Sequence, residues 1–172
     1  LSPEESTFYN CDNVVTIPNP IEFNQDIEPK YGNRKKIAMA AGRISQVKRF
    51  DTLIDIWSVF VRKNKDWKLE NGVYLMTSDV ECFPMVLLEA QTCGLPIISF
   101  DCPTGPRNII TSMCNGILVE DKNNEEFVKQ LHELINNGPL RLNIAKNGFK
   151  SVKNYNMNSI MSIWDTEIIN KI

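Results

Sequence analysis

The chain has 172 residues, of which 42% are hydrophobic and 23% charged, and its formal net charge is −2. This length and composition fit one globular domain, or one half of a larger enzyme. Lysine and arginine are scattered and form no basic tract, which excludes wholesale binding to a nucleic-acid backbone and gives no electrostatic footprint for an anionic membrane.

The five cysteines form no CxxC pair, and their odd number and irregular spacing fit neither a disulfide framework nor a zinc site. We therefore expect reduced thiols and a cytoplasmic protein. No apolar run approaches the roughly 20 residues that span a bilayer. The first residues, LSPEESTFYN, lack the pattern of an export signal.

From residue 13 onward, short apolar runs that suit strands alternate with helical periodicity. This alternation is typical of βα units on a parallel sheet. The first half of the chain predicts strands at 13–20 and 35–42 and then a helix that begins at Val47. Apolar residues in that helix recur at spacings of three and four, so one face is expected to point into a core.

The second half continues the pattern, with strands predicted at 72–78, 95–101 and 115–120. Pro84 and Gly94 bracket the first helix of this half, since proline suits a first turn and glycine follows a helix end. The predicted helices lie at 85–93, 105–112, 123–136, 139–153 and 157–171.

The dipeptide Asn71-Gly72 lies between two runs that suit strands, and by itself it signals a two-residue hairpin turn. A parallel sheet instead needs a crossover of about a dozen residues or more at this point. The sequence therefore predicts either a local hairpin or missing residues.

The helix predicted after Pro84 should attract an anion at its start. A helix leaves its first backbone N–H groups without intrahelical acceptors, and these donors and the helix dipole favour negative charge. The groups concerned are the N–H groups of Met85, Val86 and Leu87. A phosphate is the expected kind of ligand.

Two carboxylates flank this helix start, with Glu81 before it and Glu89 inside it, and carboxylates bind sugar hydroxyls well. Glu89 lies in an apolar run, where an ionised carboxylate costs several kcal/mol unless it is paired; the alternative is a solvated edge of a mostly buried helix. Ser78 and Glu81 also have the S-x-x-E form of a capping box. That register would put Pro84 inside a helix at a cost of about 3 kcal/mol, so capping is disfavoured.

Arg43 follows the strand predicted at 35–42, and Lys48 opens the next helix. Both cations would lie at the carboxyl edge of a parallel sheet, where such sheets bind ligands. Arginine can fork onto a phosphate and lysine supplies a point charge. The alternative is a solvated basic loop, although the helix dipole disfavours a cation at a helix start.

The loop DCPTGP after the strand at 95–101 could shape the same crevice, with Thr104 and the N–H group of Gly105 facing a ligand. The single histidine, His132, is expected at the surface of a polar-faced helix. With one histidine and no clustered cysteines, no metal site is predicted.

Three segments, taken in order, closely resemble the carboxyl-terminal half of the family 4 retaining glycosyltransferases: GRISQVKRFDTLIDIW, YLMTSDVECFPMVLLEAQTCGLPIISFDCPTGPRNII and NGILVE. The resemblance covers most of residues 36–120 and continues more loosely to the last helix. Its most diagnostic element is Glu81-x7-Glu89. It implies a GT-B enzyme, in which two Rossmann-like domains face each other across a cleft. Residues 1–172 would form the donor-binding domain, an α/β unit with a parallel sheet flanked by helices.

The resemblance implies a role for each candidate residue. Arg43 and Lys48 would neutralise the donor diphosphate and Glu81 would lie against the donor sugar, so these three form the catalytic set. Glu89 would hold the ribose hydroxyls. Backbone amides of the helix start would contact the sugar and the diphosphate, around Phe83, Pro84, Met85 and Val86.

The implied activity is transfer of a sugar from a nucleoside-diphosphate sugar, such as a UDP-sugar, to an acceptor with retention, in polysaccharide or glycoconjugate biosynthesis. The family implies no metal and no other cofactor. A sugar or lipid-linked acceptor would bind through an amino-terminal domain that this chain lacks, so the isolated domain is expected to be inactive. The full-length enzyme would be cytoplasmic, with peripheral association at the inner face of the membrane as one option. The alternative function is a non-catalytic Rossmann-like module that binds a nucleotide or a protein.

The chain departs from the family pattern in three places. Cys82 stands where glycine is usual, and Asn108 replaces a common glutamate. Family members also carry a strand, a loop, a helix and another strand between the positions that match residues 70 and 71. Either residues are omitted there or the chain is shortened, and omission is favoured because a deletion would expose sheet edges. The hairpin signal of Asn71-Gly72 would then be an artefact.

Overall fold

A computed structural model of the chain describes residues 3–9, 14–24, 26–32, 37–63 and 72–171. Its strands form one sheet in the order β1-β2-β3-β4, and each neighbouring pair is parallel. The strands are Ala38–Met39 (β1), Val73–Met76 (β2), Ile97–Asp101 (β3) and Ile117–Glu120 (β4). This order confirms the predicted Rossmann-like parallel sheet.

Helices cover both faces of the sheet, as predicted from the periodicity. Asparagine side chains begin three of them by accepting a hydrogen bond from a first-turn N–H group, which satisfies a donor that the helix itself leaves unpaired. The helices are Phe50–Lys63 (α1), Met85–Thr92 (α2), Asn124–Asn136 (α3), Gly138–Ser151 (α4) and Met157–Glu167 (α5).

Two hydrophobic clusters hold the helices against the sheet. On one face, α1 and α3 bury Phe60 and Phe127 against Phe100 of β3, and all three side chains are inaccessible to solvent. On the other face, Leu87 and Leu88 of α2 are equally buried. Full burial of such a side chain stabilises the fold by about 1.5–3 kcal/mol relative to exposure. The core therefore holds helices against both faces of the sheet.

The strand register brings the loops at the carboxyl edge of the sheet together. Met76 pairs with Ser99 across β2 and β3, and Asp101 pairs with Glu120 across β3 and β4. The residues that follow these strands consequently lie side by side.

Two predicted elements differ in the structure. Residues 14–20 form no strand; Ile21 makes only an isolated bridge to Asn156, because the prolines at 18 and 20 lack the N–H donors of a ladder. The helix predicted at 105–112 is a single 3-10 turn, Gly105–Asn108.

His132, predicted at the surface, is half-buried, and its ring centroid lies 4.7 Å from that of Phe60.

Residues 64–71 lie outside the described part of the chain, so the predicted gap between 70 and 71 and the Asn71-Gly72 turn lie there too. β1 and β2, on either side of this stretch, are parallel. β1 is the edge of the described sheet, and an apolar cavity of about 400 Å³ lies between it and α1. No described helix is long and apolar enough to pass through a bilayer.

Candidate functional site

The centre of the candidate site is an ion pair between Lys48 and Glu81, at the carboxyl edge of the sheet. Lys48 Nζ lies 2.5 Å from Glu81 Oε1, and the two side chains are 24% and 11% exposed. The pair joins the turn after β1 to the loop after β2, across 33 residues of sequence. Both groups are shielded by protein and still accessible to a ligand.

The sequence predicted that Lys48 opens a helix, and this prediction is wrong. Lys48 ends a 3-10 turn, Gln46–Lys48, and α1 begins only at Phe50. Arg49 separates the two with a left-handed backbone. Lys48 therefore lies two residues before α1, and Arg49 is the residue whose carbonyl accepts the first hydrogen bond of that helix, from the Leu53 N–H.

Gly42, the residue before Arg43, lies beside the Lys48 side chain. A Cβ added to Gly42 would lie 3.6 Å from the Cδ and Cε atoms of Lys48, so the backbone just before Arg43 touches the lysine side chain. Arg43 is exposed, and within the described ranges no carboxylate forms an ion pair with it. Arg43 is thus an exposed cation one residue along the chain from the backbone that lies next to Lys48.

Tyr74 of β2 anchors the loop that carries Arg43. Its hydroxyl donates to the Ala41 carbonyl at 3.1 Å and accepts from the Ala41 N–H at 3.3 Å. Burial raises the pKa of Tyr74 above its ordinary value, and the negative charges of Glu89 and Glu81 raise it further. The two hydrogen bonds fix the backbone at Ala41, two residues before Arg43.

The amino terminus of α2 faces this region. Pro84 is the N-cap residue, and no side chain caps the terminus. The Leu87 N–H donates to the Pro84 carbonyl at 2.9 Å, so the prediction that it lacks an intrahelical partner is wrong. Met85 and Val86 supply the first-turn amides that a helix leaves without acceptors. Since the helix starts at Met85, Ser78 and Glu81 do not form a capping box.

The side chains around Pro84 serve mainly the core. Phe83, Met85 and Val86 are half-buried and pack against the cluster on the α2 face of the sheet. The ring of Phe83 also lies 5.8 Å from that of Tyr155. A ligand at this terminus would thus meet backbone N–H groups, while the side chains hold the backbone in place.

Glu89 is exposed on α2. The prediction that its carboxylate is buried at a cost is therefore wrong, and the structure supports the other interpretation, a solvated edge of a mostly buried helix. Its neighbours Leu88 and Ala90 are buried, because a helix turns successive residues to different sides. Exposure leaves the carboxylate available to a ligand.

The loop after β3 packs against the backbone of Glu81. Thr104 has φ 61° and ψ −171°, a conformation that costs a residue with a Cβ about 1–3 kcal/mol, and its hydroxyl donates to the Glu81 carbonyl. A Cβ added to Gly105, whose φ is +61°, would lie 2.8 Å from the Glu81 Cβ. The Thr104 hydroxyl, predicted to face a ligand, instead holds Glu81.

Of the predicted site residues, the structure brings Lys48 and Glu81 into direct contact and places Glu81 and Pro84 together against Gly105. Arg43 and Glu89 are exposed, and their part in the site stays a prediction. Sequence reasoning missed Tyr74 and the structural role of Thr104. Both act through contacts between residues more than 20 positions apart, which no local pattern announces. Among the described residues, no three His, Cys, Asp or Glu side chains form a cluster that could hold a metal ion.

The fold and this site define a class of protein: a parallel α/β domain that presents cations and a helix terminus at the carboxyl edge of its sheet, where such domains bind anionic ligands. Residues 69–151 match the family model described as glycosyl transferases group 1. The chain is 28% identical over 204 residues to the amylovoran biosynthesis glycosyltransferase AmsD of Erwinia amylovora, covering 94% of this chain and 57% of that protein.

Solved glycosyltransferase structures share the fold. A mutant of S. aureus TarM in complex with fondaparinux, alpha-GlcNAc-glycerol and UDP matches with a TM-score of 0.82 at 20% identity, over 95% of this chain and 41% of TarM. The apo lipopolysaccharide outer core galactosyltransferase WaaB matches with a TM-score of 0.78 at 21% identity, over 99% and 61%. The chain is therefore similar to glycosyl transferases group 1 over residues 69–151, and its parallel sheet flanked by helices has the architecture of part of a GT-B fold. It spans little more than half the length of the curated relative.

Proposed function

We propose that this chain is the donor-binding half of a retaining glycosyltransferase that moves a sugar from a nucleoside-diphosphate sugar to an acceptor in polysaccharide or glycoconjugate biosynthesis. The observation that carries the proposal is the Lys48–Glu81 pair, with Gly42 against Lys48 on one side and Pro84, at the uncapped terminus of α2, packed with Glu81 around Gly105 on the other. Positive charge and open amide donors suit a diphosphate, and the carboxylates at either end suit sugar hydroxyls.

The roles of the residues follow from this arrangement. Arg43 and Lys48 bind the diphosphate together with the amides of Met85 and Val86. The Lys48 ammonium has three N–H donors, so it can contact phosphate oxygens while it keeps its bond to Glu81. Glu81 is then held against the donor sugar. Glu89, exposed at the rim, accepts hydrogen bonds from the ribose hydroxyls.

The chemistry uses charges that are already in place. As the bond between the anomeric carbon and the phosphate oxygen breaks, negative charge grows on the diphosphate, and Arg43, Lys48 and the α2 terminus stabilise it without a metal. The anomeric carbon becomes oxocarbenium-like. The acceptor hydroxyl attacks from the face that the diphosphate leaves, which retains the configuration, and the departing phosphate accepts its proton.

The rest of the enzyme is part of the same proposal. An amino-terminal domain binds the sugar or lipid-linked acceptor, so this domain alone binds donor and transfers nothing. The alignment with AmsD runs over 204 positions, more than the 172 residues of this chain, so AmsD has residues in this region that have no counterpart here. We place those between residues 70 and 71, where they would cover the open edge of β1 and the apolar cavity beside it. The whole enzyme acts in the cytoplasm, with peripheral contact at the inner face of the membrane.

A panel of nucleotides tests donor binding. UDP, GDP, ADP and their sugar derivatives are added to the full-length protein, and the melting temperature is measured. A true ligand at about 100 times its Kd should stabilise the fold by roughly 2.7 kcal/mol. In Glu89→Ala the same ligand should bind about 10- to 100-fold more weakly, because a hydrogen bond to a charged group contributes about 1.5–3 kcal/mol.

Glu125→Ala is the matched control, since Glu125 is an exposed glutamate in the first turn of a different helix, α3. It should leave the nucleotide-induced shift unchanged. Stabilisation of Glu89→Ala equal to that of the wild type would contradict the ribose role. No shift with any nucleotide would favour a non-catalytic module that binds a protein partner.

Thiol labelling gives a second test of where the nucleotide binds. Among the cysteines of the described ranges, Cys82, Cys93 and Cys114 are exposed, while burial raises the pKa of the Cys102 thiol to about 12, with further contributions from Glu81 and Asp121. At pH 8.5 iodoacetamide should modify the three exposed thiols and leave Cys102 protonated and intact. Mass spectrometry of the peptides measures the rate at each position.

Bound nucleotide should slow the labelling of Cys82, which lies between Glu81 and Phe83, and should leave Cys114 unaffected. Equal rates at Cys82 with and without a nucleotide that raises the melting temperature would place the nucleotide elsewhere. Rapid labelling of Cys102 in the native protein at pH 8.5 would contradict the buried, protonated thiol.

A further inference from the structure

Arg49 occupies a backbone conformation that glycine normally provides. Its φ and ψ are 49° and 46°, the left-handed region, and it follows directly after Lys48 at the end of the 3-10 turn. The side chain is only 14% exposed. A strained backbone persists only where the surrounding structure holds it, so the contacts of the arginine side chain are expected to explain its presence.

The guanidinium group of Arg49 contacts the ends of three strands. Its Nη1 donates to Asp121 Oδ1 at 3.2 Å, directly after β4. The same nitrogen lies 3.1 Å from Asp79 Oδ1, after β2, as an ion pair that is not aligned as a hydrogen bond. Its Cζ atom lies 5.4 Å from the ring centroid of Phe100, on β3. One side chain thus ties the turn after β1 to the three other strands.

The backbone of the same turn is fixed to the end of β2. The Asp79 N–H donates to the Val47 carbonyl at 2.8 Å. The Thr77 hydroxyl lies 3.2 Å from the Lys48 carbonyl and 3.0 Å from that of Arg49, and it can donate to either. Each of these contacts acts on the backbone at or beside Lys48, whose Nζ atom reaches Glu81.

The charges around Arg49 argue against a role in binding a ligand. Two aspartates face its guanidinium group, whereas Arg43 is exposed and has no ion pair within the described part of the chain. Arg49 is therefore held by protein charges and does not present an open cation to the crevice.

We propose that Arg49 is a positioning residue: it locks the turn after β1 against the ends of β2, β3 and β4 and so fixes the Lys48 ammonium where the donor diphosphate binds. The inference rests on the proposed function, because it assumes that Lys48 meets the diphosphate. It adds a residue that acts through Lys48 and does not touch the substrate.

A double-mutant cycle in the full-length enzyme tests the proposal. Arg49→Lys keeps the charge but loses the planar guanidinium group, which places Nη1 between the two aspartates while its Cζ atom lies over Phe100. It should lower kcat by about tenfold, as coupling between contacting residues allows, and change the donor KM by less than about twofold. In a Lys48→Ala background the same change should have little further effect on kcat, because residues that act as a unit are not additive.

Arg141→Lys is the matched control for a purely structural arginine. Arg141 is 9% exposed, and its Nη1 donates to the carbonyls of Leu134 and Ile135. This variant should lower the melting temperature. Whatever factor it changes kcat by, that factor should be the same in the wild-type and Lys48→Ala backgrounds. Asp121→Asn, which weakens the anchor from the other side, should reproduce part of the Arg49→Lys effect and serves if Arg49→Lys does not fold.

The outcomes separate this proposal from the one it rests on. If the wild type responds to nucleotides and Lys48→Ala is impaired, but Arg49→Lys either changes only the melting temperature or lowers kcat equally in both backgrounds, the positioning role is wrong. If no nucleotide stabilises the wild type, or Lys48→Ala is fully active, the proposed function fails instead.

Discussion

Replacing Lys48 with alanine should lower kcat/KM for the sugar donor by about 10²- to 10³-fold, the loss typical of removing one preorganised group that stabilises transition-state charge. Lys48 is 24% exposed and held 2.5 Å from Glu81, so its ammonium is partly shielded from water and already in position. Such a charge interacts more strongly with a developing anion than a mobile surface lysine does. Steady-state release of the nucleoside diphosphate by the full-length enzyme measures the effect.

Lys122→Ala provides the control at the same edge of the sheet. Lys122 is 69% exposed, and its Nζ atom lies 3.8 Å from Asp121. An exposed pair of this kind contributes little, so kcat/KM should change by less than about twofold. Equal losses in the two variants, or full activity of Lys48→Ala, would contradict the assignment of Lys48 to the diphosphate.

Replacing Gly105 with alanine should destabilise the fold by about 2–4 kcal/mol, because the new methyl group is both overpacked and attached to a left-handed backbone. The added Cβ would lie 2.8 Å from the Glu81 Cβ and 2.9 Å from the Pro84 Cδ, at a φ of +61°. Relief of these contacts requires movement of Glu81 or of the α2 terminus. We therefore expect weaker donor binding together with a lower midpoint in urea unfolding.

Gly32→Ala is the comparison, since nothing lies within 4 Å of a Cβ added to Gly32. Its free energy of unfolding should stay within about 0.5 kcal/mol of the wild-type value. A Gly105→Ala variant that is as stable as Gly32→Ala and binds nucleotide normally would show that the loop after β3 does not position Glu81.

Periodicity predicted the elements that bury a long apolar face or run. β2, β3 and α3 lie within about two residues of their predicted bounds. Their apolar residues form a short continuous run in each strand and recur at helical spacing in α3, so the sequence shows where each element lies. The run at 13–20 has the same apolar character but contains two prolines and finds no partner strand. Whether such a run forms a strand depends on pairing with a distant segment, and the sequence of the run alone does not determine that pairing.

The candidate residues of the site could be named from the sequence, but their arrangement could not be predicted from it. Arg43, Lys48 and Glu81 are recognisable as charges near strand ends, whereas the burial predicted for Glu89 is wrong because an apolar run does not reveal which side of a helix meets solvent. No pattern in the sequence pointed to a role for Arg49. Its importance lies in contacts with Asp79 and Asp121, 30 and 72 positions away, and in a backbone conformation that sequence does not encode for arginine.

The most direct test of diphosphate binding at this crevice is calorimetric titration of the full-length protein with a nucleoside, its monophosphate and its diphosphate. If the crevice grips a diphosphate through Lys48 and the α2 terminus, the diphosphate should bind at least about tenfold more tightly than the monophosphate, since each hydrogen bond to a charged group contributes about 1.5–3 kcal/mol. Lys48→Ala should remove most of that difference and leave the affinity for the nucleoside unchanged. Equal affinities for monophosphate and diphosphate in the wild type, or a difference that persists in Lys48→Ala, would contradict diphosphate binding by Lys48 at this site.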